Sequence, residues 1–304
     1  MRLFAILAAL VSILAAPVVT HAQRGGAGGR GRGAPATARE GAALDLTGYW
    51  VSVISEDWKF RMVTPKKGVY DSLTLNNEGR RVADTWDLAK DDAGGLSCKP
   101  YGVGNIMRMP GRMHITWQDD RTLKAEFDAG TQTRLLHFGQ KPANVGQPSW
   151  QGYSQAEWQV AGQAVDVDRN GIPQVGANQQ AGGGNNFLLN GGGGGGQGRG
   201  GRGRGRGAPP VGGSLFVTTT NFREGYLRKN GVPYSASANI TEYFDKVGPE
   251  PNGDVILLVR TVVDDPKYLQ LPFITSTHFK LEKDGAKWNP TPCKIDPPVE
   301  VPGK

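Results

Sequence analysis

Three histidines remain once the first 22 residues of this 304-residue chain are set aside: His114, His137 and His278. Two of them fall in the stretch MHITWQDDRTLKAEFDAGTQTRLLHF, residues 113–138, which also holds Glu126. An imidazole exchanges protons near neutral pH, and a neighbouring carboxylate can orient it. His114, Glu126, His137 and His278 are therefore candidate catalytic residues, suited to a lyase, isomerase or hydrolase that needs no cofactor. Three imidazoles with water in the fourth position would alternatively suit catalytic zinc. The close spacing of a helical H-x-x-x-H pair is missing, and no metal site is assigned. The sequence has no Gly-x-Ser-x-Gly elbow and no phosphate-binding Gly-x-x-x-x-Gly-Lys-Ser/Thr run. Asp166-Val167-Asp168-Arg169-Asn170-Gly171 copies the first half of a calcium loop, but Ala177 stands where the loop needs a bidentate glutamate. An Asx-rich turn is the expectation there.

The elements that must position these groups are strands. β-branched and aromatic residues crowd LTGYWVSVI (46–54), WKFRMV (58–63), RMHITW (112–117), TLKAEFD (122–128) and TQTRLLHF (131–138). They do so again in YSQAEWQV (153–160), SLFVTTTNF (214–222), ASANITEYF (236–244), DVILLVRTVV (254–263) and FITSTHFKL (273–281). Asp119-Asp120, Ala129-Gly130, Asn252-Gly253 and Asp265-Pro266 punctuate them as turns. One helix is expected at NNEGRRVADTWDLA (76–89), capped by Asn76, with Val82, Ala83 and Trp86 on one face. This pattern predicts one all-β domain over residues 44–300, an antiparallel β-barrel or curved sandwich of lipocalin- or calycin-like architecture. Pleat parity gathers His114, Thr116, Lys124, Glu126, Thr133 and His137 on one surface, if Ala129-Gly130 makes a two-residue turn. Ile115, Trp117, Leu123, Ala125, Phe127, Leu136 and Phe138 take the other surface, which is the core side. The polar surface is either a wet sheet face or the wall of a concave pocket.

The opening MRLFAILAALVSILAAPVVTHAQ reads as a secretory signal peptide, residues 1–22, cut before Gln23. Its apolar run is short for a membrane span, so the mature protein is expected to be soluble and exported, periplasmic or extracellular, with no stable membrane anchor. Residues 23–43 are expected to form a disordered RG-rich tail, and residues 172–213 a flexible Gly/Arg-rich insertion within the β domain. The formal charge of +7 comes from those segments, because nine arginines lie in them and in the signal region beside a single acid, Glu40. The remainder carries 26 basic and 27 acidic residues, so no nucleic-acid partner is implied. The RG-rich arms leave open a different class, an envelope or surface interaction protein. Two cysteines in an exported chain suggest one disulfide, Cys98–Cys293, closing a loop of 195 residues.

NNEGRRVADTWD, SCKPYG and MRMP, followed in order by PSWQGYSQAEWQ, FVTTTNFREGY, ITEYF and VVDDPKY, resemble an uncharacterised family of exported bacterial all-β proteins. The resemblance covers most of residues 45–293 and implies export and an all-β fold, but no activity. It departs after Trp158, where VAGQAVDVDRNG and the Gly-rich insertion precede SLFVTTT. Separately, Gly48-Tyr49-Trp50 is similar to the Gly-x-Trp start of lipocalins, which implies a barrel.

Trp150 and Tyr153 in PSWQGYS, and Tyr226, Arg228 and Tyr234 in GYLRKNGVPY, lie in or beside turns. They are the candidate ligand-binding residues. There they could line a cavity mouth, with Arg228 meeting a carboxylate or a sugar hydroxyl. The leading expectation is an exported protein that holds a small, partly apolar molecule inside a β-barrel, without a cofactor. The sequence sets neither the ligand nor the oligomeric state.

Overall fold

The computed structural model describes residues 37–160 and 212–301. The first barrel strand, β1 (Gly48–Val53), is followed by three short helices, α1 (Trp58–Met62), α2 (Asn77–Asp84) and α3 (Leu88–Ala93). Then come β2 (Arg112–Asp119), β3 (Thr122–Phe127), β4 (Gln132–Phe138), β5 (Tyr153–Val160) and β6 (Gly213–Thr220). A small hairpin, β7 (Gly225–Arg228) and β8 (Val232–Tyr234), precedes β9 (Asn239–Val247), β10 (Ile256–Asp264) and β11 (Phe273–Glu282). Nine of these strands close into a barrel in the order β1-β11-β10-β9-β6-β5-β4-β3-β2. Every neighbouring pair is antiparallel except β4–β5, which is parallel.

These nine strands are nine of the ten segments whose composition favours the pleat. The tenth, WKFRMV, is a helix instead. Phe60 and Arg61 are neighbours in sequence and both buried, while Trp58 and Met62 are exposed. A strand cannot bury two adjacent side chains on one face, whereas one helical turn can. Asp57, at φ 45°, turns the chain into α1, and its carbonyl accepts from the Phe60 and Arg61 amides. The helix expected over 76–89 exists but is split. Asn76 caps α2 by accepting from the Gly79 amide at 2.8 Å, and Asp87 then caps α3.

Side chains fill the barrel. Trp50, Met113, Ile115, Leu123, Phe127 and Leu136 pack inside against Leu215, Val217, Phe244, Leu257, Val259 and Phe279. Barrels of about this strand number enclose a width that side chains can fill. Through this apolar column runs one charged pair. Arg134 and Glu242 are fully buried and joined by two hydrogen bonds, Nη1–Oε1 at 3.1 Å and Nη2–Oε2 at 2.6 Å. The same Nη2 donates to Ser154 Oγ at 3.1 Å and Thr219 Oγ1 at 3.2 Å. Glu242 stands on β9 between Phe244, in the apolar column, and Ile240, in a second cluster with Leu75, Phe222, Tyr234 and Phe273.

That second cluster belongs to a cap over one end of the barrel, built from α2, the β7–β8 hairpin and the two 3₁₀ turns Lys99–Tyr101 and Ile106–Arg108. The segment after β11 straps across the cap. Tyr101 donates its hydroxyl to the Lys294 carbonyl at 2.7 Å, the Thr291 amide donates to Asp128 at 2.8 Å, and Val299 donates to Thr64 at 2.9 Å. The Cys98–Cys293 disulfide staples this strap to the cap. Part of the segment expected as a disordered tail is also pinned: Ala38 accepts from Trp158 Nε1 at 2.8 Å, Arg39 donates to Asp120, and Ala43 is buried. The expected signal peptide, the remainder of that tail, the Asp166–Gly171 turn and residues 172–211 of the insertion lie outside the described residues.

Candidate functional site

The histidine face forms as the pleat requires, but on the outside of the barrel. His114 pairs with Glu126, and Glu126 with Thr133. His114 lies between Met113 and Ile115, both buried in the interior, so its ring points outward. It stacks flat on Tyr49, with centroids 3.9 Å apart, and Trp288 meets it edge-on. Its Nδ1 is 3.6 Å from Glu126 Oε2, the same oxygen that Lys124 approaches at 3.0 Å. His137 pairs with Thr122, four residues along β3 from Glu126. That places it about 16 Å from His114, two strand widths across and about 13 Å along.

His278 pairs with Val53, four residues along β1 from the Tyr49 that faces His114, and in the direction opposite to His137. The three imidazoles therefore do not meet. Each has its own local partner: Tyr49 and Glu126 for His114, Tyr153 for His137 at 4.7 Å, and Ser55 Oγ for His278 at 3.1 Å. Burial under Tyr153 lowers the His137 pKa below its ordinary value, with Asp119 pulling weakly the other way. No group of three or more His, Cys, Asp or Glu side chains suited to a metal ion occurs among the described residues.

The five candidate ligand-binding residues separate in the same way. Tyr153 is on the outer wall under His137. Trp150 is covered by the Arg223 guanidinium at 3.9 Å. Arg228 is buried, stacked on Phe60 at 4.1 Å and donating to the Asp71 carbonyl at 2.8 Å. Tyr226 and Tyr234 do come together, at a cavity of about 230 Å³ in the cap.

Four regions of chain build that cavity. Trp86 follows α2, Asp91 lies in α3, Lys99 opens a 3₁₀ turn, and the β7–β8 hairpin supplies Tyr226, paired with Pro233, and Tyr234, paired with Gly225, with Tyr268 from the turn after β10. Asp91 organises the aromatic wall: its Oδ2 accepts from Trp86 Nε1 at 3.1 Å and from the Tyr226 hydroxyl at 2.8 Å. Burial, and then the hydrogen bond to this carboxylate, push the Tyr226 phenol far above its usual range, so it stays a donor. The Lys99 ammonium sits 5.0 Å from the Tyr226 ring centroid, close enough for cation–π attraction. Gly231, at φ +81°, lets the hairpin turn directly against Trp86, where a Cβ would overlap the indole. Charges of both signs surround the opening: Lys90 and Lys99 against Asp87, Asp91 and Glu224.

Sequence reasoning reached Tyr226 and Tyr234 from their place beside a turn, and Trp86 as a helix-face residue. It missed Asp91, Lys99, Glu224 and Tyr268, which carry no periodic signal. The available clue was Cys98: the disulfide fixes the residue next to Lys99. A larger open depression of about 840 Å³ is lined by Lys141, Gln155, Glu157, Thr218 and Thr220, with Phe138 and Trp158 at its edge. It lies on the two strands that lead into residues outside the described part of the chain. Comparison with family models, curated proteins and solved structures finds no match for this chain.

Proposed function

We propose that this chain is an exported binding protein, and that the aromatic cavity in its cap holds a single ring of a polyhydroxylated ligand, a sugar residue. The observation that carries this reading is the cavity wall itself, where Trp86 and Tyr226 both donate to the buried Asp91 carboxylate beside Lys99. Aromatic faces cover the apolar face of a pyranose, and ammonium, carboxylate and phenol groups serve its hydroxyls as donors and acceptors. Two bases and three acids leave the rim near balance, which favours a neutral polar ligand over a strongly charged one. A volume of about 230 Å³ admits one ring and excludes an acyl chain. Export is supported by the Cys98–Cys293 disulfide and the signal-like opening residues.

Thermal unfolding with a panel of monosaccharides, short oligosaccharides, aromatic acids and fatty acids tests the reading. A saccharide should raise Tm in a saturable way, because ligand at one hundred times Kd adds about 2.7 kcal/mol to native stability. Lys99→Met and Glu224→Gln should each weaken that ligand roughly tenfold, the loss of one hydrogen bond to a charged group. No saccharide response, or unchanged affinity in both variants, would reject the assignment.

A further inference from the structure

A second, smaller void lies in the cap, and its chemistry is the reverse of the aromatic cavity. Its volume is about 10 Å³, room for one water-sized particle, and its charged lining is wholly basic: Arg61, Arg108, Arg228 and Lys229. All four side chains are nine-tenths or more buried. Two of the arginines have partners at their Nη groups, although the buried Nε of Arg228 has none among the described residues. Arg108 meets Asp57 at 3.0 Å and Glu56 at 3.4 Å, and Arg228 donates to the Val69 and Asp71 carbonyls. Arg61 is different. Its Nε donates to the Arg108 carbonyl at 2.9 Å, but neither Nη1 nor Nη2 has a hydrogen-bond partner among the described residues.

A buried guanidinium with two idle donors is costly, and an adjacent second guanidinium makes it more so. Burial, then Arg108, pull the pKa values of Arg61 and Arg228 down to about 10, even with Glu56 and Asp57 acting on Arg61 in the other direction. The group still carries its full charge at neutral pH, so the fold must offset it. A water in the void would accept from Arg61 but would have to donate its own hydrogens. The lining side chains other than the four bases are Phe60, Met109 and Leu227, which are apolar or nearly so, and Asn105. The Asn105 amide nitrogen donates to the Pro100 carbonyl at 2.8 Å and to the Met109 sulfur at 3.5 Å, so the lining side chains offer a water only the Asn105 oxygen for its two hydrogens. An anion needs no acceptor, and it meets donors on several sides.

We propose that this void is a binding site for one monatomic anion of chloride size, held by the Arg61 Nη groups within the ring of Arg108, Arg228 and Lys229. The site joins α1 to β7 and to the turn Ile106–Arg108, so its occupancy would brace the cap on which the aromatic cavity is built. The void is too small for phosphate or sulfate, which sets its selectivity.

The test compares sodium chloride with sodium gluconate at equal ionic strength. Chloride should raise Tm by about 2–4 °C with a saturable dependence. It should also broaden the chloride NMR line in proportion to protein concentration, and Arg61→Met should abolish both effects. Crystals soaked in bromide should show one anomalous peak beside Arg61, a reading that needs no variant should Arg61→Met fail to fold. Equal Tm in the two salts with no anomalous peak would mean a water fills the void and would overturn the proposal. A saturable stabilisation by sulfate as large as that by chloride and equally lost in Arg61→Met would overturn the size selectivity and with it the site as drawn, whereas a non-saturating rise in sulfate is the general salt effect.

Discussion

The barrel interior and the cap solve the same problem, buried charge, in opposite ways. Inside the barrel, Arg134 and Glu242 meet in a two-point contact with no exposed side-chain area, Ser154 and Thr219 also accept from the same Nη2, and only the Arg134 Nε has no partner among the described residues. In the cap, Arg61, Arg108 and Arg228 crowd together with Glu56 and Asp57 at the edge, and the Arg61 Nη groups are left over. Regular strands alternate their side chains in and out, so an inward arginine on β4 can meet an inward glutamate on β9 across the interior, with β5 and β6 between the two strands. The cap is assembled from turns and short helices, where no register exists. Its remaining space, the aromatic cavity and the small void, is where a ligand can still contribute binding energy. The difference teaches that, on the function proposed above, ligand binding belongs to the cap and the matched charges of the barrel serve stability.

The largest effect that tests this contrast comes from the barrel. Arg134→Met leaves Glu242 buried without its counter-charge and should cost about 3–5 kcal/mol in urea unfolding. Glu242→Leu added to it removes the orphaned carboxylate and should recover most of the loss, since an apolar pair of similar volume is often no worse than the ions. A double variant as unstable as the single would mean the two residues do not act as a pair. Neither variant should alter the affinity of the aromatic cavity.

Next in size is the staple. Cys98→Ser with Cys293→Ser should lower stability by about 2–4 kcal/mol, because the bridge closes 195 residues of chain. Here the readouts should spread into the cap. Ile295, two residues beyond Cys293, packs with Trp86 and Tyr226. Loosening the strap therefore frees one wall of the aromatic cavity, and ligand affinity should fall along with Tm. Unchanged affinity in the bridge-less protein would separate strap from cavity and make the cap a more independent unit than the packing indicates.

How much of this was legible from sequence follows the same division. His114 opposite Glu126, Glu126 opposite Thr133, and Asp128 meeting Thr131 across Ala129-Gly130 all follow from alternation and a short turn, because each step involves adjacent strands. The same alternation puts Arg134 on the side of Leu136, an inward arginine that hydrophobicity alone does not suggest. What parity cannot give is curvature: it assigned the histidines a common side, but that side is the convex outer wall, and four residues of offset keep the rings apart. The cap was opaque for another reason. Trp86, Asp91, Lys99, Tyr226 and Tyr268 come from separate irregular stretches, and only long-range packing brings them together. In α1, two adjacent buried residues imitate the composition of a strand while needing a helical turn.

The smallest effect distinguishes the two surfaces of the barrel wall itself. His137 lies on the outer face beneath Tyr153, and burial holds its folded pKa below the ordinary 6.5, with Asp119 opposing. The unfolded chain therefore binds its proton first as pH falls. Between 6.5 and the lower folded value, the unfolded state carries more protons, so the contribution of neutral His137 is fully present above 6.5 and declines through that window. Below the folded pKa the decline stops. Urea midpoints measured across this range should fall for the wild type and fall less for His137→Gln. Asp119→Asn keeps an oxygen for the Arg121 amide but removes the charge that lifts the imidazole pKa, so it should steepen the wild-type decline. If His137→Gln follows the wild type point for point, the ring is solvated rather than covered, and the stack with Tyr153 contributes nothing to the wall.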